Sequence, residues 1–168
     1  MRLLAIDAHK TISYCIFEDG TPIVTRTFKD VTPATVCDVF RTGKFQGPIY
    51  TLGMRGMEVV IEVPDAWTRD GKNMRAIMNI NAIAYSLGNL FAHQDIPVHY
   101  KPVSEWKERK TKHTTNWETV VALKAQGIDY GLAKNEHERD ALALGLWWLR
   151  HGVDDRISRT VAEGGGHG

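Results

Sequence analysis

The sequence predicts an α/β fold with a mixed sheet, and three observations carry that expectation. The apolar run Leu3-Leu4-Ala5-Ile6 is followed by two shorter β-type runs joined through Asp19-Gly20, the pattern of three strands in succession. Met57-Glu58-Val59-Val60-Ile61-Glu62-Val63 is a further buried-type strand that lies beyond a helical stretch. Long segments of helical character then occupy about Lys72 to His93 and the region from Asn135 onward. Strands met through hairpins pair antiparallel and strands met across a helix pair parallel, so this order calls for both in one sheet. At 168 residues and 43% hydrophobic content the chain can bury one full-sized core, and one domain is expected.

Arg2 to Ile6 reads as a central strand that delivers Asp7 at its C-terminal end. Ile12 to Phe17, the Asp19-Gly20 turn and Ile23 to Phe28 complete a meander. Thr32-Pro33 reads as N-cap and first residue of a helix that should stop at Gly43. The strand from Met57 is closed by Pro64 and presents Glu62 near its end. In the 72–93 helix, Met74, Ile77, Met78, Tyr85 and Gly88 fall on one side, and Ile80, Ile83, Ala84, Leu87, Leu90 and Phe91 on another. One stripe suffices to dock a helix on a sheet. The second is covered either within the chain or by another subunit.

Ile96 to Tyr100 reads as a short strand whose early proline favours an edge or a strand start. The segment 105–113 is basic and lacks helical apolar periodicity. Asn116 to Gln126 is a short helix ended by Gly127. Asn135 is a good N-cap for the last helix, and Gly152 reads as its stop, which leaves 153–168 as a polar tail outside a domain of residues 1–152.

His137 and Asp140 are three residues apart and share a helical face that Leu144 and Trp148 continue inward. Taken alone, they are polar first-turn residues that suit the helix dipole. Asp7 and Glu62 also end apolar strands, and the three places together make an oxygen-rich site suited to Mg²⁺ or Mn²⁺. Carboxylates packed together repel one another, and a cation is their natural occupant. Two such ions ~4 Å apart can activate a water and stabilise the leaving oxygen in phosphodiester cleavage.

The run Leu3-Leu4-Ala5-Ile6-Asp7, the hairpin strands, Ile61-Glu62, the long helix and His137-x-x-Asp140-Ala141-Leu142-Ala143-Leu144 together resemble a RuvC-type Holliday junction resolvase over about residues 1 to 151. The resemblance implies an RNase H-like fold: a mixed five-stranded sheet, with a three-stranded antiparallel meander plus two parallel strands, flanked by helices. It implies a metal-dependent endodeoxyribonuclease that resolves four-way junctions or related branched DNA by paired nicks, using two Mg²⁺ or Mn²⁺ ions per site. Asp7, Glu62, His137 and Asp140 match the family's catalytic and metal positions. His137 stands where aspartate is usual, and Ala8-His9 replaces the usual glycine two residues after the first acid. Trp67, in the loop after the fourth strand, matches an aromatic that wedges into the junction. Lys107, Arg109, Lys110 and Lys112 resemble the family's phosphate-binding segment. The resemblance also implies a homodimer, since paired nicks need two related sites.

Two rival readings stay in view. An RNase H-like nuclease of the pre-ribosomal-RNA processing type differs in substrate, and a catalytically weak junction-binding protein is what His137 would mean if it disables the site. A sugar kinase of actin-like fold needs Gly-rich phosphate loops and a second half for which there is no room. Net charge of +1 makes any basic DNA-binding surface local. No stretch reaches the length of a membrane span or has the form of a signal peptide. Cys15 and Cys37 have no metal-type spacing and read as buried thiols, so a cytoplasmic protein with no membrane partner is expected.

Overall fold

The computed structural model describes residues 1–41, 56–65, 74–107 and 112–164. Its elements are β1 (Arg2–Asp7), β2 (Ile12–Glu18), β3 (Thr21–Phe28), α1 (Val36–Arg41), β4 (Met57–Val63), α2 (Met74–Ala92), β5 (Val98–Pro102), α3 (Val103–Trp106), α4 (Lys112–Ala125), a 3₁₀ turn (Tyr130–Leu132) and α5 (Glu136–Gly164). They build one five-stranded sheet in the order β3-β2-β1-β4-β5. β1–β2 and β2–β3 pair antiparallel, and β1–β4 and β4–β5 pair parallel. The β2–β3 turn places Asp19 and Gly20 at φ 49° and 84°, the left-handed pair that an Asp-Gly hairpin turn requires. β5 lies at the edge, where Pro97 costs no ladder hydrogen bond.

Strand alternation sorts the core into two layers. Leu4, Ile6, Ile12, Tyr14, Ile16, Val59 and Ile61 pack with α2, while Leu3, Ala5, Cys15, Phe17 and Val60 pack with α5. On α2 the residues Ile77, Ile83, Ala84, Leu87, Gly88 and Phe91 are buried. Met74, Met78 and Tyr85 are 47%, 64% and 49% exposed, while Ile77 and Gly88 of the same predicted side are buried and Tyr85 tilts against the Tyr100 ring with centroids 4.7 Å apart. Cys15 is buried and Cys37 half-buried, both as thiols. No helix among the described residues is long and apolar enough to cross a membrane.

Several boundaries differ from the sequence expectation, among them β5, which runs Val98–Pro102 rather than from Ile96 to Tyr100. α1 begins at Val36, because the Thr35 amide bonds to Thr32 O at 3.1 Å and its hydroxyl returns to Thr32, closing a tight turn before the helix. Gly43 lies outside the described residues. The basic segment is no single loop: Val103–Trp106 forms a helical turn that buries Trp106, and α4 begins at Lys112 rather than Asn116. The last helix does not stop at Gly152 but runs to Gly164. Gly152 is there for closeness, since a β-carbon on it would stand 2.6 Å from the Trp148 indole. Glycine at a helix end and glycine under a tryptophan look alike in sequence.

Candidate active site

On the α5 face of β1, Leu3 and Ala5 are core, and the next residue of that parity is Asp7, 4% exposed at the strand end. On β4 the same face carries Val60 and then Glu62, and the parallel register sets Asp7 beside Glu62. Backbone pairing therefore places the two carboxylates on strands about 5 Å apart before any side-chain contact is made. α5 enters over these strand ends. Its N-cap is Asn135, whose Oδ1 accepts the Glu138 amide at 3.0 Å, and the helix then lays Ala141, Leu142, Leu144 and Trp148 into the core. Gly145 lets it sit close, because a β-carbon there would collide with the Phe17 ring and come within 3.0 Å of Ala5 Cβ.

Helical entry at that position brings His137 and Asp140 onto the strand ends. His137 Nδ1 lies 2.8 Å from Asp7 Oδ2. With the imidazole neutral, Nδ1–H donates to that carboxylate and Nε2 carries the ring's lone pair. Asp140 meets the site through Lys107, whose ammonium stands 3.4 Å from Asp140 Oδ2 and 3.5 Å from Glu62 Oε2. All four sequence-predicted acid and imidazole positions thus converge at one place, and Lys107 joins them as the local cation.

The electrostatics reflect crowding. Burial, then the neighbouring Asp7 and Asp140 charges, push the Glu62 carboxyl from its usual 4.5 up to about 7, against the opposing pull of Lys107. For Lys107, burial works to lower the pKa, but Glu62, Asp140 and Asp7 outweigh it and hold the ammonium above its usual range. Glu62 Oε2 is buried, and its only cationic neighbour among the described residues, Lys107 at 3.5 Å, makes a long ion pair rather than a hydrogen bond. A buried, unsatisfied carboxylate oxygen among other acids is the chemistry a hard divalent cation satisfies, and Asp7, Glu62 and Asp140 with the His137 nitrogen make a donor set that fits Mg²⁺ or Mn²⁺. Among the described residues no three such groups already stand close enough to enclose an ion. The His137 bond holds Asp7, while Lys107 lies between the other two.

Glu138, the residue after His137, lies off the His137/Asp140 face: it is 5% exposed and faces β3. Its Oε2 accepts the Lys134 amide at 2.7 Å and the Thr25 hydroxyl at 3.2 Å, and its Oε1 accepts the Thr27 hydroxyl at 2.9 Å. Thr27 also meets Ser13 Oγ at 2.8 Å and Asn135 Nδ2 at 2.9 Å. His9, noted in the sequence only as a departure from glycine, stacks its ring on His137 with centroids 5.8 Å apart. The signal for it was its place two residues after Asp7.

Of the expected DNA contacts, Trp67, Arg109 and Lys110 lie outside the described residues. Lys112 is the first residue of α4. Lys107 is described, and it lies among the acids rather than on a free basic surface.

Comparison with known proteins gives likeness in structure alone. No protein-family model matches the chain and no curated protein sequence does. The fold is that of solved Holliday junction resolvases. Thermus thermophilus RuvC aligns at TM-score 0.62 and 14% identity, covering 90% of this chain and 97% of that one. The T. thermophilus RuvC structure in complex with Holliday junction substrate aligns at 0.60 and 13%, with the same coverage. The Fowlpox virus resolvase in complex with substrate Holliday junction DNA aligns at 0.51 and 15%, covering 89% of this chain and 97% of that one. The RNase H-like sheet expected from the sequence is therefore the sheet observed.

Proposed function

We propose that this protein is a divalent-metal-dependent endonuclease that resolves four-way DNA junctions, or related branched DNA, by paired nicks. The observation that carries the reading is the convergence of Asp7, Glu62, His137 and Asp140 on one end of the sheet, from two strands and a helix far apart in sequence. Its fold is shared with proteins solved on junction DNA, which favours branched DNA over the RNA substrate of a ribosomal-RNA-processing nuclease.

Asp7, Glu62 and Asp140, with His137 through Nε2, would hold Mg²⁺ or Mn²⁺, two ions per site. When bound, the ions supply positive charge to the scissile phosphate and lower the pKa of a water. The chain's own residues do the rest. Asp7 orients the His137 ring through Nδ1. Lys107 keeps the acids compatible with one another before the ions enter, and its flexible stem lets it turn to a phosphate oxygen when they do. Arg109, Lys110 and Lys112 continue that phosphate contact along the segment, and Trp67 stacks on an unpaired base at the branch point. Two copies related by a two-fold axis, meeting through the Met74, Met78 and Tyr85 stripe of α2, would supply the second nick.

The test is nicking of a synthetic four-way junction in Mg²⁺ and in Mn²⁺, beside linear duplex and RNA/DNA hybrid. Asp7→Asn should abolish cleavage and leave junction binding in place. Full activity of that variant, or of the wild type in EDTA, would refute the reading, and preference for the hybrid would favour the RNA nuclease.

A further inference from the structure

We infer that Thr27 and Glu138 form a positioning clasp that sets His137 against Asp7, a role that rests on the nuclease reading above but belongs to residues outside the metal-ligand set. Hydrogen-bond valence fixes how the clasp is wired. An ionised carboxylate only accepts, so the Thr27 hydroxyl spends its one proton on Glu138 Oε1. Both lone pairs of Thr27 are then open to donors, and two donors are present: Asn135 Nδ2, which can only donate, and the Ser13 hydroxyl, which must do so because Thr27 has no second proton. One half-buried oxygen is therefore saturated by three partners.

Those partners lead to the two halves of the site. Ser13 is the residue directly opposite Asp7 in the β1–β2 ladder. Glu138 is the residue after His137, and Asn135 is the N-cap of the helix that carries it. Thr25, two residues before Thr27 on the same face of β3, shares its one hydroxyl proton between Leu132 O at 2.7 Å, the shorter bond, and Glu138 Oε2 at 3.2 Å, which anchors the loop into the helix. The 2.8 Å bond between His137 and Asp7 thus closes a ring that already runs from β2 through Thr27 to the start of α5. A side chain in reach of the reacting phosphate gains rate from being held to a fraction of an ångström, and a displacement of 1 Å can cost ~100-fold.

The experiment uses Thr27→Val, which keeps the shape and removes the hydroxyl, and Thr27→Ser, which keeps the hydroxyl. Thr27→Val should lower kcat on the four-way junction ~10–100-fold with KM unchanged, and Thr27→Ser should recover it to within about threefold of wild type. A second readout needs neither metal nor DNA. In ¹⁵N-labelled protein in EDTA, the His137 Nδ1 resonance should move in Thr27→Val toward its position in Asp7→Asn, and stay in place in Thr27→Ser. Unchanged kcat and an unchanged resonance in Thr27→Val would overturn the clasp, as would a loss that Thr27→Ser fails to recover. If wild type nicks none of the substrates, the nuclease reading fails while the resonance still decides the clasp. Should Thr27→Val not fold, Ser13→Ala cuts one arm only and must shift the same resonance, or the clasp is wrong.

Discussion

Glu62 gives the protein a stability that should fall as pH rises, and replacing it with glutamine tests the electrostatics of the whole site. In the folded chain its carboxyl keeps its proton up to about pH 7, whereas in the unfolded chain it ionises near 4.5. Between those values the folded state binds more protons, so each step upward in pH favours unfolding. The contribution is complete below about pH 4.5 and lost as pH passes 7. The span of about 2.5 units at ~1.4 kcal/mol per unit amounts to roughly 3 kcal/mol. Glutamine mimics the protonated acid at every pH, so Glu62→Gln should match wild type near pH 5 and exceed it at pH 8 by about 1–3 kcal/mol. The pull of Lys107, 3.5 Å away, is already counted in the Glu62 pKa, because it is what keeps the carboxyl from rising further. Urea unfolding in EDTA at pH 5, 6, 7 and 8 measures the difference. Adding Mn²⁺ at pH 8 should stabilise wild type and leave Glu62→Gln nearly unmoved. A gap between the two proteins that stays constant from pH 5 to 8 would refute the reasoning.

Three other outcomes follow from named contacts. His137→Asp should shift metal preference from Mn²⁺ toward Mg²⁺ and weaken the acid limb of the pH–rate profile, because a nitrogen ligand is softer than a carboxylate and competes with protons nearer neutrality; activity against pH in each metal checks it. Leu87→Glu puts a charge at a fully buried position and should unfold the protein, while Met78→Glu, at 64% exposure, should give a folded monomer that nicks poorly. Light scattering reads the mass, and a wild-type mass of a single 18.9 kDa chain would rule the dimer out. Gly145→Ala forces a methyl against Phe17 and Ala5, both fully buried, and should lower stability by about 1–3 kcal/mol in thermal or urea unfolding.

The parts of the site legible in sequence are those that local pattern controls. Asp7 and Glu62 each end a run of apolar residues, so strand assignment alone puts them at strand termini, and the spacing of His137 and Asp140 puts them on one face. The same logic identified two stripes on α2 but not which was buried, because both are apolar and only the sheet's position decides. Lys107 reads as one of a basic cluster meant for phosphate. That it lies between Glu62 and Asp140 depends on a turn at Val103–Trp106 and on a helix that starts 29 residues later. Glu138 was invisible for a plainer reason. Its partners Thr25 and Thr27 are 113 and 111 residues away, on a strand whose threonines look like ordinary edge-strand filling.

The register that sets Asp7 beside Glu62 has a consequence for how such a chain can change. The gap between those two acids is not chosen by their side chains; it is inherited from the repeat of the peptide ladder, which is the same whatever residues occupy β1 and β4. Substitution through the core can therefore run on with the ruler intact, and 13–15% identity to proteins of like fold is no obstacle to a matching distance. Insertion is a different matter. One residue added to β4 ahead of Glu62 would turn the acid to the opposite face of the sheet, toward α2, and leave a folded protein whose first two carboxylates no longer see each other.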